Sequence, residues 1–599
     1  MPSSTQPPAR IQIQAVEPLV DCGRYPVKRT VGDELVVSAT IFRDGHDVLG
    51  AAVRYRPPGG RKWRESRLEP LGNDRWRGSF EVDRPGRWTY TIAAWTDRIA
   101  SWQDEVTRKL AGDQTDFGGE LSEGRALLGE ELSLDEALSV RREDRYGEVE
   151  LETRLAVDVD RERARFGAWY ELFPRSWGGF AGVEKVLPKL AELGFDVVYL
   201  PPIHPIGRTN RKGRNNAVTA KAGDVGSPWA IGGEEGGHDA INPELGTLAE
   251  FERLVARGRE FGCEIALDFA IQCSPDHPWL KEHPEWFHRR PDGTLKYAEN
   301  PPKRYQDIYN VNFESEDWRA LWDALRDVLL YWVGRGVRVF RVDNPHTKPV
   351  AFWEWVIADV RRVDPDIVFL SEAFTRPAMM TTLAKAGFSQ SYTYFTWKNT
   401  KAELEELMAQ ILEWSEFYRP NFFANTQDIL HEYLQTGGRP AFEARLVLAA
   451  TLSPSYGIYS GFEAFENVPL REGSEEYLDS EKYETKQRKL DGPLFPLVRR
   501  LNAIRRAEPA LQRVDNLRWL ETEQERLVAY VKDDVVCVVN IDPLEPRDGV
   551  AIIPASLGLP PAFFVRDLVG GERYRWTIGR NYVRLDPGRS HVFKIETHV

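Results

Sequence analysis

The stretch GVRVFRVDNPHTKPVAFWEWVIADVRRVDPDIVFLSEAF (336–374) decides how the rest of the chain is read. Two short apolar runs, VRVFRVD (337–343) and DIVFLSE (366–372), flank AFWEWVIADVRRV (351–363), whose apolar residues recur at three- and four-residue spacing. Short runs rich in β-branched and aromatic residues suit buried strands, and the 3.6-residue period between them suits a helix covered on one face. Strand, helix, strand is the repeating unit of a parallel sheet. Both runs also end in a carboxylate, Asp343 and Glu372.

The same unit recurs in both directions. Upstream, FGAWYELF (166–173) leads into GVEKVLPKLAELGF (182–195), DVVYLPPI (196–203) into LAEFERLVARGREFG (248–262), and CEIALDFA (263–270) into WRALWDALRDVLLYWVGRG (318–336). Downstream, DIVFLSEAF (366–374) leads into MMTTLAKAG (379–387), QSYTYF (390–395) into KAELEELMAQILEWSEF (401–417), RPNFFANTQ (419–427) into PAFEARLVLAATL (440–452), and YGIYSGF (456–462) into LFPLVRRLNAIRRA (494–507). Eight such alternations predict an α/β fold, a (β/α)8 TIM barrel over 161–512. No Gly-rich dinucleotide fingerprint follows any strand, which disfavours a doubly wound sheet. The excursions at about 205–247 and 270–314 are too long for bare connectors and predict a loop lobe over the active face. Before the barrel, alternating runs such as ELVVSATIF (34–42) and GRWTYTIAAW (86–95) predict an N-terminal β-sandwich over 1–160, with EVELETRLAVDVDRE (148–162) as its closing strand. It carries a small helical insertion at about 103–145. After the barrel, ERLVAYVK (525–532), DVVCVVNI (534–541) and HVFKIE (591–596) predict a C-terminal β-sandwich over 513–599.

Composition narrows the function. With 79 Lys and Arg against 92 Asp and Glu, the net charge of −13 disfavours a general nucleic-acid or anionic-membrane binder. Cys22, Cys263, Cys273 and Cys537 lack metal-ligand spacing and are too few for a disulfide scaffold of this length. The opening MPSSTQPPARIQIQ has no signal-peptide pattern, and no 18-residue apolar run occurs, so a cytoplasmic enzyme without membrane contact is expected. The 19 Trp, 21 Tyr and 28 Phe exceed ordinary usage; most fill cores, and some are available to stack on sugar rings.

In such a barrel the chemistry sits at the C-terminal strand ends. Four ends carry acids: Asp268 on the third strand, Asp343 beside Arg341 on the fourth, Glu372 on the fifth and Asp428 after the seventh. Arg341 and Asp343, two residues apart, face one side, and the cation keeps the carboxylate ionised. Any one acid fits a barrel-lining ion pair. Four together point to function, because burying unpaired carboxylates costs several kcal/mol each.

This set resembles the signature regions of the α-amylase superfamily of retaining glycoside hydrolases and transglycosylases. By that resemblance Asp343 is the nucleophile, Glu372 the general acid/base and Asp428 the transition-state stabiliser. The chemistry agrees, since retention needs a carboxylate on each face of the anomeric carbon. Glu372, set among Phe369, Leu370 and Phe374, is expected to have a raised pKa. Ordinary amylases carry Asn-His after the third-strand Asp and a His before the last Asp; here those places hold Gln272-Cys273 and Gln427. Longer strings instead resemble the bacterial maltose-1-phosphate maltosyltransferases: YLPPIHPIG (199–207), RKGRNN (211–216), DFAIQCSPDHPW (268–279), PPKRYQDIYNVNF (301–313), FRVDNPHTKP (340–349) and YSGFEAFENVPLREGSEEYLDSEKYE (459–484).

The resemblance implies retaining transfer of maltosyl units from α-maltose 1-phosphate to the non-reducing end of α-1,4-glucans through a covalent glycosyl-enzyme, with phosphate released. Lys212, Gln272, Asp307 and Asn344 would hold the phosphate and adjoining sugar, with Tyr305 near the phosphate and Lys482-Tyr483 at the far glucosyl unit. Arg341 joins the binding set, and Ser227 and Trp229 are expected near the donor. A homodimer is implied, with the N-terminal domain as contact. No metal or other cofactor is implied, and His204, His238, His277 and His346 lie in separate loops without ligand spacing. IGGEEGGHDA (231–240) lacks the GK[ST] ending of a phosphate loop and reads as a tight turn. Two alternatives stay open: an amylase-superfamily hydrolase or phosphorylase with another donor, and a catalytically silent glucan-binding protein.

Overall fold

In the computed structural model, which describes residues 8–300 and 303–596, the eight apolar runs become eight parallel strands closed into a barrel. They are β1 (Gly167–Glu171), β2 (Val197–Leu200), β3 (Glu264–Phe269), β4 (Val339–Asp343), β5 (Val368–Glu372), β6 (Gln390–Tyr392), β7 (Pro420–Phe423) and β8 (Ser455–Tyr459). Helices α1 (Gly179–Glu192), α2 (Leu248–Phe261), α3 (Trp318–Gly334), α4 (Val350–Val363), α5 (Pro377–Ala386), α6 (Lys401–Glu413), α7 (Glu432–Leu452) and α8 (Phe495–Ala507) each follow the strand of the same number. The TIM-barrel expectation is met.

The two-residue period of each strand sorts its side chains. On β4, Phe340 and Val342 point outward into the large core shared with the helices, where Phe352, Trp353 and Val356 of α4 meet them. Val339 points inward and joins Trp169, Tyr199, Ala266, Val368, Leu370, Tyr392 and Phe423, which fill the barrel's axis. By the same alternation Arg341 and Asp343 point inward. The helices are placed by local signals: Thr247 and Glu250 form a capping box at the start of α2, and Gly262, at φ +74°, turns the chain back into β3.

The excursions after β2 and β3 build a lobe. The first holds only a short 3-10 turn, Arg214–Asn216, and isolated bridges such as Ile206 to Ile231. The second forms a three-stranded antiparallel sheet from Gln272–Cys273, Tyr297–Asn300 and Lys303–Asn310. Pro301 and Pro302 of the PPKRYQDIYNVNF string lie outside the described residues, as do residues 1–7 of the polar N-terminal stretch.

The chain divides into two compact units, one ending at Arg161 and the other starting at Glu162. The first holds a nine-stranded sheet and three helices, Arg98–Ala111, Gly118–Leu128 and Leu134–Ser139, the last two of which pack with the first around Trp102. The first of these starts at Arg98, ahead of the expected position, because the Asp97 side chain accepts from the Ala100 N–H and caps it there. The expected closing strand is two strands, Arg145–Glu150 and Leu155–Asp160, separated where Glu152, Thr153 and Arg154 are all exposed. In the second unit, the chain after the barrel forms a six-stranded and a two-stranded sheet. One face of the larger sheet shares an apolar cluster with the smaller, through Leu527, Val536, Ile553 and Val583. Its other face, with Val528, Tyr530 and Val539, joins the barrel's outer core. Among the described residues no helix is long and apolar enough to cross a membrane.

Candidate active site

Register brings the strand-end groups to one level. Asp268 pairs with Arg341 across β3 and β4, and Asp343 with Glu372 across β4 and β5. Neighbouring strands lie about 4.8 Å apart, so these side chains meet without any loop rearrangement. Arg341, 1% exposed, is the hub: its Nη1 donates to Asp268 Oδ2 at 2.8 Å and to Asp343 Oδ2 at 3.0 Å, and its Nη2 meets Glu372 Oε1 at 2.5 Å. Tyr199 Oη donates to Asp268 Oδ2 at 2.5 Å. Asn344, in the left-handed region at φ +41°, turns back so that its Nδ2 donates to Asp343 Oδ1 at 3.2 Å and its backbone N–H to Glu372 Oε2 at 3.3 Å.

Burial, opposed by Arg341 and reinforced by Asp343 and Asp428, pushes the Glu372 carboxyl up to about 8. Burial likewise lifts Asp268 to about 7. Burial works against the charge on Arg341, but Glu372, Tyr199 and Asp268 outweigh it and hold the guanidinium firmly protonated. A neutral acid at Glu372, facing an Asp343 that is paired to a cation, gives one proton donor and one anionic nucleophile across the same opening.

Asp343 and Asn344 open into a cleft of about 290 Å³ lined also by Ser227, Trp229, Gln272, Tyr305, Asp307, Asp428, Lys482 and Tyr483, with Glu299, His346 and Lys348; Glu372, Asp268 and Arg341 are not among its lining residues. Most of the residues singled out in the sequence therefore converge. Lys212 stands behind the wall: it is buried, donates to Gln306 Oε1 at 2.7 Å and interacts with Asp307. The cations that line the cleft are Lys348 and Lys482. Lys482 Nζ donates to Asp428 Oδ1 at 2.5 Å and lies 5.4 Å from the Trp229 ring centre and 5.8 Å from that of Tyr483. Burial opposes its charge, but Asp428 raises its pKa well above the ordinary lysine value. Lys348 Nζ donates to Asn344 O at 3.3 Å and faces Asp343, Glu372 and Asp268. Asp307 is raised by burial, against the pull of Lys212 and Lys482.

Sequence reasoning missed Lys348 and Glu171; His346, named there only among the histidines without ligand spacing, lines the cleft. Glu171 ends β1 two residues after the inward Trp169, so the two-residue period already placed it inside the barrel. Its signal was masked because YELF continues apolar past the strand end. Both ends of the Gln427 carboxamide meet carboxyl groups: one lies 2.7 and 3.2 Å from the two Glu171 oxygens, the other 3.3 Å from Asp428 Oδ2.

The structure also gathers histidines that the sequence kept apart. His238, Cys273 and His277 bring their ligand atoms within 4.8 Å of one another. Their lone pairs are in use, however. His277 Nδ1 accepts from the Trp279 N–H at 3.1 Å, which leaves its Nε2–H to donate to His238 Nδ1 at 3.0 Å, and His238 Nε2–H donates to Ala270 O at 2.9 Å. Burial lowers His238 to about 4, holds His277 well below the ordinary histidine value and raises the Cys273 thiol. This neutral chain braces the start of the lobe, and a metal ion would have to break it. His204, lowered by burial to about 3, makes its Nδ1 contact with Ala240 O at 3.0 Å.

Comparison with known proteins agrees with this geometry. A family model described as "Alpha-1,4-glucan:maltose-1-phosphate maltosyltransferase, domain N/S" matches residues 9–168, and one described as "GLGE, C-terminal" matches residues 519–595. The chain is 50% identical to the alpha-1,4-glucan:maltose-1-phosphate maltosyltransferase 1 of Streptomyces coelicolor, covering 97% of this chain and 94% of that one. It is 45% identical to the corresponding enzyme of Mycolicibacterium smegmatis, covering 97% and 96%. Among solved structures, a maltogenic alpha-amylase from Thermotoga neapolitana superposes with a TM-score of 0.57 at 21% identity, covering 73% of this chain and 99% of that one, which speaks to the barrel fold alone.

Proposed function

The chain belongs to the family of α-1,4-glucan:maltose-1-phosphate maltosyltransferases, and from that premise we propose that it transfers maltosyl units from α-maltose 1-phosphate to the non-reducing ends of α-1,4-glucans by double displacement. The observation that carries this reading is the Arg341 hub, which sets an ionisable nucleophile that lines the cleft beside a neutral acid on the adjacent strand.

Asp343 attacks C1 of the donor as the bond from C1 to the phosphate oxygen breaks, giving a maltosyl-enzyme ester and inorganic phosphate. Glu372 gives its proton to the departing phosphate. The ionised Glu372 then takes the proton from the acceptor's 4-hydroxyl, whose oxygen attacks C1 and releases Asp343. Two inversions leave the configuration retained. Asp428 faces the positive charge that develops on the sugar ring in both steps, and Lys482 holds that carboxylate in place. Gln272, Tyr305 and Asn344 supply neutral donors for the phosphate and first glucosyl unit, and Asp307 accepts sugar hydroxyls with Lys212 behind it. Tyr483 and Trp229 offer ring faces to the second unit.

The regions flanking the barrel are read as β-sandwich domains, over 1–160 and 513–599, around a catalytic domain at 161–512. The family resemblance supports a cytoplasmic homodimer contacting through the N-terminal domain.

The test is incubation with α-maltose 1-phosphate and maltohexaose, assaying phosphate release and product length together. The reading requires stoichiometric phosphate and chains that grow two glucose units at a time. Growth by single units refutes maltosyl transfer, and reducing sugar released from starch without phosphate dependence favours a hydrolase.

A further inference from the structure

Glu171 has no part in the double displacement, yet it is wholly buried at the end of β1 beneath the cleft floor. Among the described residues no Lys or Arg lies within ion-pair distance of its carboxyl group. The groups that face it are Arg341, Asp428, Asp268 and Glu372, with the Tyr199, Tyr392 and Tyr477 hydroxyls. Across the barrel the Gln427 carboxamide lies 2.7 and 3.2 Å from the two Glu171 oxygens, and the far end of that carboxamide is 3.3 Å from Asp428 Oδ2.

A carboxamide has one donating end and one accepting end. Turned one way, the amide donates to both Glu171 oxygens but gives up its hydrogen bond to Asp428 and sets its own oxygen 3.3 Å from that carboxylate. Turned the other way, it keeps the Asp428 bond and faces Glu171 with its oxygen, which is satisfied only if Glu171 carries a proton. Asp428 is the one that stays ionised, because Lys482 Nζ is 2.5 Å from its other oxygen. The proton therefore falls to Glu171. We propose that Glu171 is a positioning residue which, as a neutral carboxylic acid, donates to Gln427 Oε1 and so fixes the Gln427 amide with its N–H toward Asp428. Asp428 is then held from two sides, by Lys482 and by Gln427, with its charge aimed at the sugar ring. Burial and the surrounding acids also push the Glu171 carboxyl well above the ordinary range, against Arg341 alone.

The kinetic consequence rests on the maltosyltransfer reading; the protonation state does not. Glu171→Gln reproduces the neutral acid's shape, whereas Glu171→Leu removes the donor. In the phosphate-release assay Glu171→Gln is expected to keep kcat within about 3-fold of wild type. Glu171→Leu is expected to lower kcat about 30-fold with KM little changed, as is Gln427→Leu, and the double variant falls no further. A Glu171→Gln loss as deep as that of Glu171→Leu, or an unchanged Glu171→Leu, overturns the proposal. Infrared difference spectra of wild type against Glu171→Gln at neutral pH decide the same point without turnover. A carboxylic-acid carbonyl band from the wild type supports it, and carboxylate bands alone overturn it. Should the wild type release no phosphate from the donor, the functional reading fails while the spectra still judge Glu171.

Discussion

Replacing Arg341 probes the electrostatics of the site most directly. One guanidinium holds three carboxyl groups, at 2.8 Å to Asp268, 3.0 Å to Asp343 and 2.5 Å to Glu372. The side chains are 1% exposed for Arg341, 0% for Asp268 and 10% for both Asp343 and Glu372, so solvent screens them little. A lysine keeps the charge but has a single nitrogen, which cannot span what two guanidinium nitrogens span, so one or two contacts are lost. At about 1.5–3 kcal/mol for each hydrogen bond to a charged group, the gross loss is about 1.5–6 kcal/mol. Proton uptake recovers part of it, because burial already holds Asp268 near 7 and Glu372 near 8. The expected cost is about 2–3 kcal/mol of unfolding free energy for Arg341→Lys at neutral pH, and about 3–5 kcal/mol for Arg341→Met, which strands the acids without a cation. The sign with pH follows. Arg341 stabilises the ionised acids, so the deficit of either variant must shrink as the pH falls through the raised pKa values of Asp268 and Glu372 and those two become neutral. Phosphate release should drop about 10²- to 10⁴-fold, since Asp343 loses its orientation. Urea unfolding across pH and single-turnover phosphate release measure the two effects. A Met variant within about 1 kcal/mol of wild type at every pH, with turnover within about 3-fold, would refute the account.

Five further outcomes follow from the same geometry. Asp343→Ala should abolish turnover; unchanged phosphate release would remove it as nucleophile. Glu372→Gln should leave one burst equivalent of phosphate and block transfer to maltohexaose, because phosphate departs with little acid help whereas the acceptor hydroxyl needs a base; rapid quench with product sizing reads this. In the wild type, the donor half-reaction should decline as the pH rises through about 8, where Glu372 ionises and repels the phosphate, and the Gln variant should lack that limb. Lys482→Met should lower kcat about 10- to 100-fold by freeing Asp428, and chelator treatment should leave both activity and thermal midpoint unaltered, since His238 and His277 already spend their ring nitrogens on hydrogen bonds.

The sequence by itself determined the barrel and its acids. Strand alternation is a local property: the period that sends Val339 inward sends Arg341 and Asp343 inward too, and the capping signals of Thr247 and Gly262 are local as well. That is why the eight units and the carboxylates at strand ends were legible without coordinates. Local pattern also misled, though only slightly, at the start of the Arg98–Ala111 helix and in the split closing strand, where a cap and three exposed residues decide the boundaries.

Which groups touch was decided by closure of the chain on itself. Glu171 and Gln427 are separated by most of the barrel in sequence and meet because β8 returns to lie beside β1 and completes the ring. Lys482, which the resemblance assigned to the far glucosyl unit, reaches Asp428 because the segment carrying it is folded back over the strand ends, anchored by Arg488 on Glu481 and Glu466. The three-way sharing of Arg341 needed the register of β3, β4 and β5, and so did the raised carboxyl of Glu372, whose main cause is depth of burial. A sequence states which residues face inward; the distances between them, and hence which acids keep their protons, exist only once the barrel is closed and water is excluded from its floor.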